Sequence, residues 1–273
     1  MSEQAKLTKA IGTMSVVTAV SRVFGFVRVM VIAKVFGAGM VADAFFQAFR
    51  ISNILRELLA EGSMSAAFIP VFTEYLHTKS KDEARELASS IFYILMFILM
   101  GVVLLGVAFS PQLVSVIAHG WVKYPEKFAL TVSLTRIMFP YILFVGLSAV
   151  TMGVLNSMGA FASPALAPVM LNVSMIGFAL FVSPMMENPI AGLAIGVVFG
   201  GLLQLLIQLP PLKKKGMGFY FIFKPAHEGV KKIARLTIPV TGSQAVTQIN
   251  IFVGSIIAVA VTIRHLLSCG WAD

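Results

Sequence analysis

Apolar residues along this chain gather into long runs separated by short polar breaks, a pattern that predicts a series of membrane-length helices. The first run, from about Ala10 to Phe36, is interrupted only by Arg22 and Arg28 and stops at Gly37-Ala38-Gly39. The second starts near Val41 and runs to about Leu59. Its polar positions Asp43, Gln47, Arg50, Asn53, Arg56 and Glu57 fall, at about 100° per residue, within roughly half the helix circumference. The opposite face is Ala44, Phe45, Ala48, Phe49, Ile51 and Leu55. One side of this helix therefore lines a polar space and the other meets lipid or neighbouring helices. Glu61-Gly62-Ser63 breaks the pattern, Met64 to Tyr75 reads as a shorter amphipathic piece containing Pro70, and His77 to Glu86 reads as a charged connector. Further helices are expected over about Ala88–Phe109, Leu130–Leu155, Pro164–Val182, Ile190–Leu209 and Leu236–Ile263. Between the first two of these, Pro111 to Phe128 reads as a loop or surface helix, with Trp121 and Tyr124 suited to an interfacial belt.

The pattern predicts an all-α integral membrane protein, a polytopic bundle of about seven transmembrane helices. Its organisation is a bundle over 1–209, a basic cytoplasmic loop over 210–235, a seventh helix over 236–263 and an atypical tail over 264–273. Composition agrees: of 273 residues, 58% are hydrophobic and 12% charged, against about 25% charged in soluble domains. Mean hydropathy is +0.90. The single cysteine, Cys269, excludes a disulfide framework within the chain, and His77, His119, His227 and His265 are scattered without metal-ligand spacing. No metal and no cofactor are called for. The net charge of +9 would point to nucleic acid in a soluble protein, but the cations sit mainly in loops, where they orient a membrane protein. With the amino terminus in the cytoplasm, thirteen cations lie inside, Arg56 counted among them, against Lys34, Lys123 and Lys127 outside. That asymmetry predicts a cytoplasmic amino terminus and an outer carboxyl terminus. The first apolar run is long and carries arginines, so it does not read as a cleaved signal peptide.

Chemistry concentrates in the first two helices. Arginine near a bilayer centre costs about 2.5–3.5 kcal/mol on insertion scales, so such residues face a protein interior or a wet cavity. Arg22 and Arg28 are six residues apart, about 120° around one helix, and can share a cavity without both pointing at one atom. Together with Arg50 and Arg56 they predict a cavity that receives an anion, since guanidinium groups bind phosphate by paired hydrogen bonds and keep their charge. Asn53, Glu57, Glu61 and Asp43 are candidate lining or supporting residues. In an alternative reading, either arginine of the first helix pairs with Asp43, Glu57 or Glu61 and only locks two helices together. Asp43 fits a helix cap, or a partner for Lys34. Arg136 lies near an interface and can snorkel. Asn156, Asn172, Gln204 and Gln248 are candidate interhelical hydrogen-bond partners, and Gly25 allows close packing or a bend. No nucleophile–base–acid set or glycine-rich phosphate loop occurs, so the chain does not read as an enzyme.

These residues carry a resemblance. Ser21-Arg22-Val23-Phe24-Gly25-Phe26-Val27-Arg28, Phe36-Gly37-Ala38-Gly39, Asp43-Ala44-Phe45-Phe46, Asn53-Ile54-Leu55-Arg56 and Ala60-Glu61-Gly62 resemble the MurJ (MviN) family. So do Phe139-Pro140-Tyr141-Ile142-Leu143, Leu155-Asn156, Leu171-Asn172-Val173-Ser174-Met175-Ile176-Gly177 and Gln208-Leu209-Pro210, in the same order. The resemblance implies a lipid II flippase of the bacterial inner membrane, in the multidrug/oligosaccharidyl-lipid/polysaccharide exporter superfamily. Such proteins have two six-helix lobes around a cationic cavity, and alternating access carries an undecaprenyl-pyrophosphate-linked peptidoglycan precursor to the outer leaflet. It implies that Arg22, Arg28 and Arg56 engage the pyrophosphate. The partners implied are that lipid-linked precursor and membrane lipids, with cell-wall synthesis proteins as a further candidate and no nucleic acid. Members are about twice this long, as repeat-built transporters are. On this reading the chain holds the amino-terminal lobe plus the first helix of a second, leaving the family pattern after about Val261. Alternatives are a flippase for another polyprenyl-linked oligosaccharide, a non-transporting scaffold of cell-wall synthesis, or an inactive fragment.

Overall fold

The computed structural model describes residues 3–57, 62–244, 246, 247 and 250, and no strand occurs among the described residues. Helix α1 (Glu3–Phe36) ends at Gly37, whose φ of 69° reverses the chain into α2 (Met40–Arg56). After α3 (Gly62–Thr78), α4 (Lys81–Ala108) begins on Ser80, whose hydroxyl accepts the Glu83 N–H at 3.2 Å. A short α5 (Ser110–Ile117) and a tight turn over His119–Lys123 lead into α6 (Pro125–Met138) and α7 (Pro140–Ser157). Then come α8 (Ala162–Gly177), prolonged by a wide π turn over Phe178–Val182, α9 (Pro189–Leu206) and α10 (Leu209–Lys214). A last helix, α11, starts at residue 228 and is described to 244. Helices α6 and α7 meet at Phe139 and together make one 33-residue run, Pro125–Ser157, mostly buried at the centre of the bundle.

Five runs are long and apolar enough to cross a membrane: Ser15–Phe36, Lys81–Ala108, Pro125–Ser157, Ala162–Met185 and Pro189–Lys214. The expected count of seven needs two more, and the contacts show where one lies. Helix α2 packs on α6 and α3 packs on α7, so α2 and α3 lie along successive halves of the same central run. Residues 62–78 are thus bundle, not a minor amphipathic piece: Ala67, Phe68, Val71 and Phe72 are buried. Pro70 lies inside α3 on its exposed side. The expected connector shrinks to Lys79 and Ser80, and its acids Asp82, Glu83 and Glu86 lie in the opening turns of α4, where negative charge is favoured. The span 210–235 is not one loop either, since α10 and the start of α11 occupy its two ends. Glu61, Gln248, most of the expected seventh helix and the tail 264–273 lie outside the described residues.

Two apolar clusters hold the bundle. One joins Phe68 and Phe72 of α3, Leu87 and Leu99 of α4, and Val150 of α7. The other joins Ile32 of α1, Phe45 of α2, Leu134 of α6, Tyr141 of α7 and Leu193 of α9. Helix α9 approaches closely through glycine: a Cβ on Gly201 would lie 2.7 Å from the Tyr141 ring. Only a residue without a side chain fits there without moving that ring.

Candidate cationic cavity

A cavity of about 460 Å³ opens between α1, α2, α7, α8 and α9. Two arginines reach it: Arg28 from α1 and Arg56 from the last turn of α2. Asn53, Ser148, Asn172 and Gln204 add polar groups, while Phe49, Tyr141 and Leu171 supply apolar wall. No aspartate or glutamate lines it among the described residues. The site is therefore cationic, concave and enclosed on several sides by membrane-grade helices, so its charges are screened less than they would be in water.

The arginines are held by amides. The Arg28 guanidinium donates to Asn172 Oδ1 at 3.0 Å, and Asn172 Nδ2 donates to the Ser21 carbonyl at 3.3 Å. One side chain of α8 therefore fixes both the α1 backbone and its arginine. A Cβ on Gly25 would stand 3.9 Å from Asn172 Nδ2, an ordinary contact, so glycine is not a steric requirement at that position. Arg56 donates from Nε to Asn53 Oδ1 at 3.2 Å and stands 3.7 Å from Glu57 Oε1. A guanidinium carries five N–H donors in a planar fork, the geometry that suits phosphate oxygens. A buried amide–hydroxyl set that includes two of these wall residues braces α7 against α9: Gln208 Nε2 donates to Ser148 Oγ and, at 2.9 Å, to the Gln204 carbonyl.

The remaining candidates lie elsewhere. Arg22 and Arg50 are exposed and are not part of the cavity wall. Asp43 neither caps α2, whose N-cap is Gly39, nor meets Lys34. It pairs with Lys127 of α6 at 2.7 Å, and Lys127 also sits 3.9 Å from the Trp121 ring. Arg136 donates to Ser110 Oγ at 2.8 Å. Asn156 Oδ1 is buried without a hydrogen-bond partner. Tyr141, Phe49 and Ser148 are wall residues that charge patterning could not single out, because their place follows from packing. Asn172 was visible as a polar residue in an apolar run, but its partner was not.

The chain matches the family model described as lipid II flippase MurJ over residues 32–270. The match continues past Val261, where the motifs alone placed the end of the family pattern. A lipid II flippase MurJ from Burkholderia cenocepacia is 40% identical over 256 residues, covering 92% of this chain and 50% of that protein. Among solved structures, a lipid II flippase MurJ in an inward closed conformation superposes with a TM-score of 0.72 at 29% identity, over 88% of this chain and 49% of that one. An outward-facing multidrug resistance MATE family transporter of the MOP superfamily shares the fold, with a TM-score of 0.65 at 18% identity. The chain spans about half the length of the relatives it matches. With the family model matching most of the sequence, the chain belongs to the lipid II flippase MurJ family, as a multi-pass bacterial membrane protein.

Proposed function

We propose that this chain forms the first lobe of a lipid II flippase, and that its cavity receives the pyrophosphate of an undecaprenyl-linked peptidoglycan precursor. The observation that carries the reading is the pair Arg28 and Arg56 in one cavity that no acidic residue lines among the described residues, together with family membership. Arginine offers a planar fork to two phosphate oxygens, where lysine offers a point charge. Arg22, exposed about 9 Å along α1 from Arg28, extends the cationic track toward the side that the first lobe leaves open. Alternating access carries the head group from the cytoplasmic to the outer leaflet of the inner membrane, and the polyprenyl tail stays in lipid. No step breaks or makes a covalent bond.

The decisive experiment is complementation of a flippase-depleted strain by the full-length protein. Loss of a charge-assisted contact costs about 1.5–3 kcal/mol, roughly ten- to a hundredfold in binding. Arg28→Ala should abolish complementation at normal protein level, and Arg28→Lys should restore it in part. Full complementation by a stable Arg28→Ala protein would refute the pyrophosphate role and favour a scaffold. Charge supports the orientation: Arg56 lines the cavity and leaves the inside tally, but twelve cations against three still favour a cytoplasmic amino terminus. Reporter fusions at Lys214 and Trp121 should read inside and outside respectively, and an outside signal at Lys214 would reverse the topology.

A further inference from the structure

Between α10 and α11 the chain does not run free in water. Gly216, at a φ of 74°, turns it out of α10, and residues 217–224 then run without helix along the flank of α4. Met217 is fully buried, and the Tyr220 N–H donates to Ser89 Oγ. Three phenylalanines of alternating register climb the helix. The Phe219 ring stacks on Phe92 at 4.1 Å, Phe221 meets Tyr93 edge-on at 5.0 Å, and Phe223 meets Phe97 edge-on at 5.6 Å. Arg85 lies 4.7 Å from the Tyr220 ring, and Lys224 turns back to pair with Glu86.

The depth of this strap can be read from α4. Glu86 is the last charged residue of that helix. At 1.5 Å per residue, Phe92 and Phe97 lie about 9 and 16 Å beyond it, inside a run apolar enough to cross a membrane. Phe97 and Ile98 are more than half exposed, as on a lipid-facing surface, and the strap's Tyr220, Phe221 and Phe223 extend that surface at 57%, 71% and 50% exposure. Such a patch in water would be an aggregation liability. A limit acts from the other side. The strap is not helical, so most of its backbone groups have no ladder, and bare backbone is not tolerated in the hydrocarbon centre. Its charge points the same way: residues 213–235 carry seven cations, Lys213, Lys214 and Lys215 ahead of the strap and Lys231, Lys232 and Arg235 behind it, with Glu228 as the one acid.

We propose that residues 217–224 are an interfacial anchor, with the rings of Phe221 and Phe223 inserted at the headgroup–acyl boundary of the leaflet at the Lys81 end of α4. The backbone lies at headgroup level, and the flanking lysines meet anionic lipid phosphates. The anchor fixes where α11 leaves the first lobe.

The test uses the whole chain reconstituted in vesicles of phosphatidylcholine and phosphatidylglycerol. Trp121 and Trp271, the chain's two tryptophans, are changed to phenylalanine, and Phe221→Trp supplies a single reporter. The expected result is blue-shifted emission, strong quenching by lipids brominated near the headgroup, weaker quenching by lipids brominated near the chain ends, and protection from aqueous acrylamide. Free quenching by acrylamide with no response to brominated lipid would overturn the proposal. Stronger quenching from chain-end bromines would overturn the interfacial depth. Should Phe221→Trp fail to accumulate, Tyr220→Trp reads the same boundary with the same outcomes.

Discussion

Helix α1 and the α6–α7 run are both long, apolar and membrane-grade, yet the bundle treats them in opposite ways. In the apolar window of Ser15–Phe36 6% of residues are buried within the protein, and in that of Pro125–Ser157 72% are. The central run is surrounded by α2, α3, α4 and α9, whereas α1 leans chiefly on α8. Hydrophobicity alone therefore says that a helix enters a membrane and nothing about what it touches there. The lesson extends to chemistry. The edge helix carries Arg28 and Arg22, and the buried run carries the aromatic and hydroxyl wall, Tyr141 and Ser148. Charge is carried by a helix with room beside it and shape by one that has none.

That contrast can be broken at several strengths. The largest effect is expected from Val150→Asp in α7, which places a carboxylate where the native side chain is fully buried. A charge at helix centre in a membrane costs about 2.5–3.5 kcal/mol on insertion scales, so the protein should fail to accumulate. Normal levels on immunoblot would show that α7 is not the core element. Next comes Asn172→Ala, which cuts the tie between α8, Arg28 and the Ser21 carbonyl. A side-chain hydrogen bond is worth about 0.5–1.5 kcal/mol, and one to a charged group about 1.5–3 kcal/mol. Complementation should weaken without vanishing, and a thermal-shift measurement on purified protein should show only a small loss. A large drop in stability with unchanged complementation would make Asn172 a packing residue alone. The smallest effect is expected from Phe26→Ala on α1. A buried phenylalanine truncated to alanine costs about 3–5 kcal/mol, but Phe26 is 67% exposed within this chain. Its thermal midpoint in detergent should hardly move, and a shift as large as that of a core truncation would mean that α1 is covered.

Much of this architecture was legible. The runs ending at Phe36, beginning near Pro164 and beginning near Pro189 are bounded by glycine and proline, which act locally. The start of α4 was missed, because Ser80-Lys81-Asp82-Glu83 reads with its neighbours as a charged connector although Ser80 caps the helix. What failed was the second half of the α2–α3 column. Glu61-Gly62-Ser63 read as a break and the piece after it, with Pro70 inside, as too short to matter, whereas burial of Phe68 and Phe72 makes α3 part of the bundle against α7. The strap failed for a related reason. The alternation of phenylalanine at 219, 221 and 223 was present, but the surrounding lysines dominated the composition. Within the cavity, Arg28 and Arg56 were found because an arginine in an apolar helix is costly wherever it goes. Asn172 could be singled out as an interhelical hydrogen-bond partner but not paired, since 144 residues separate it from Arg28.

The join between α6 and α7 has a mechanical consequence. Pro140 has no N–H to return to the helix, so the backbone ladder of the central run lacks a rung there. Helix α2 ends at Arg56, and the columns on either side of that point pack on α6 and on α7 respectively. Tyr141 stands one residue past the missing rung. The α2–α3 column and the α6–α7 run thus both divide at about the same level, and the cavity is lined by α2 from one side of that level and by α7 from the other. A helix that lacks a rung bends there more readily than along its unbroken stretches, so the wall that α7 gives the cavity begins at the softest point of the central run.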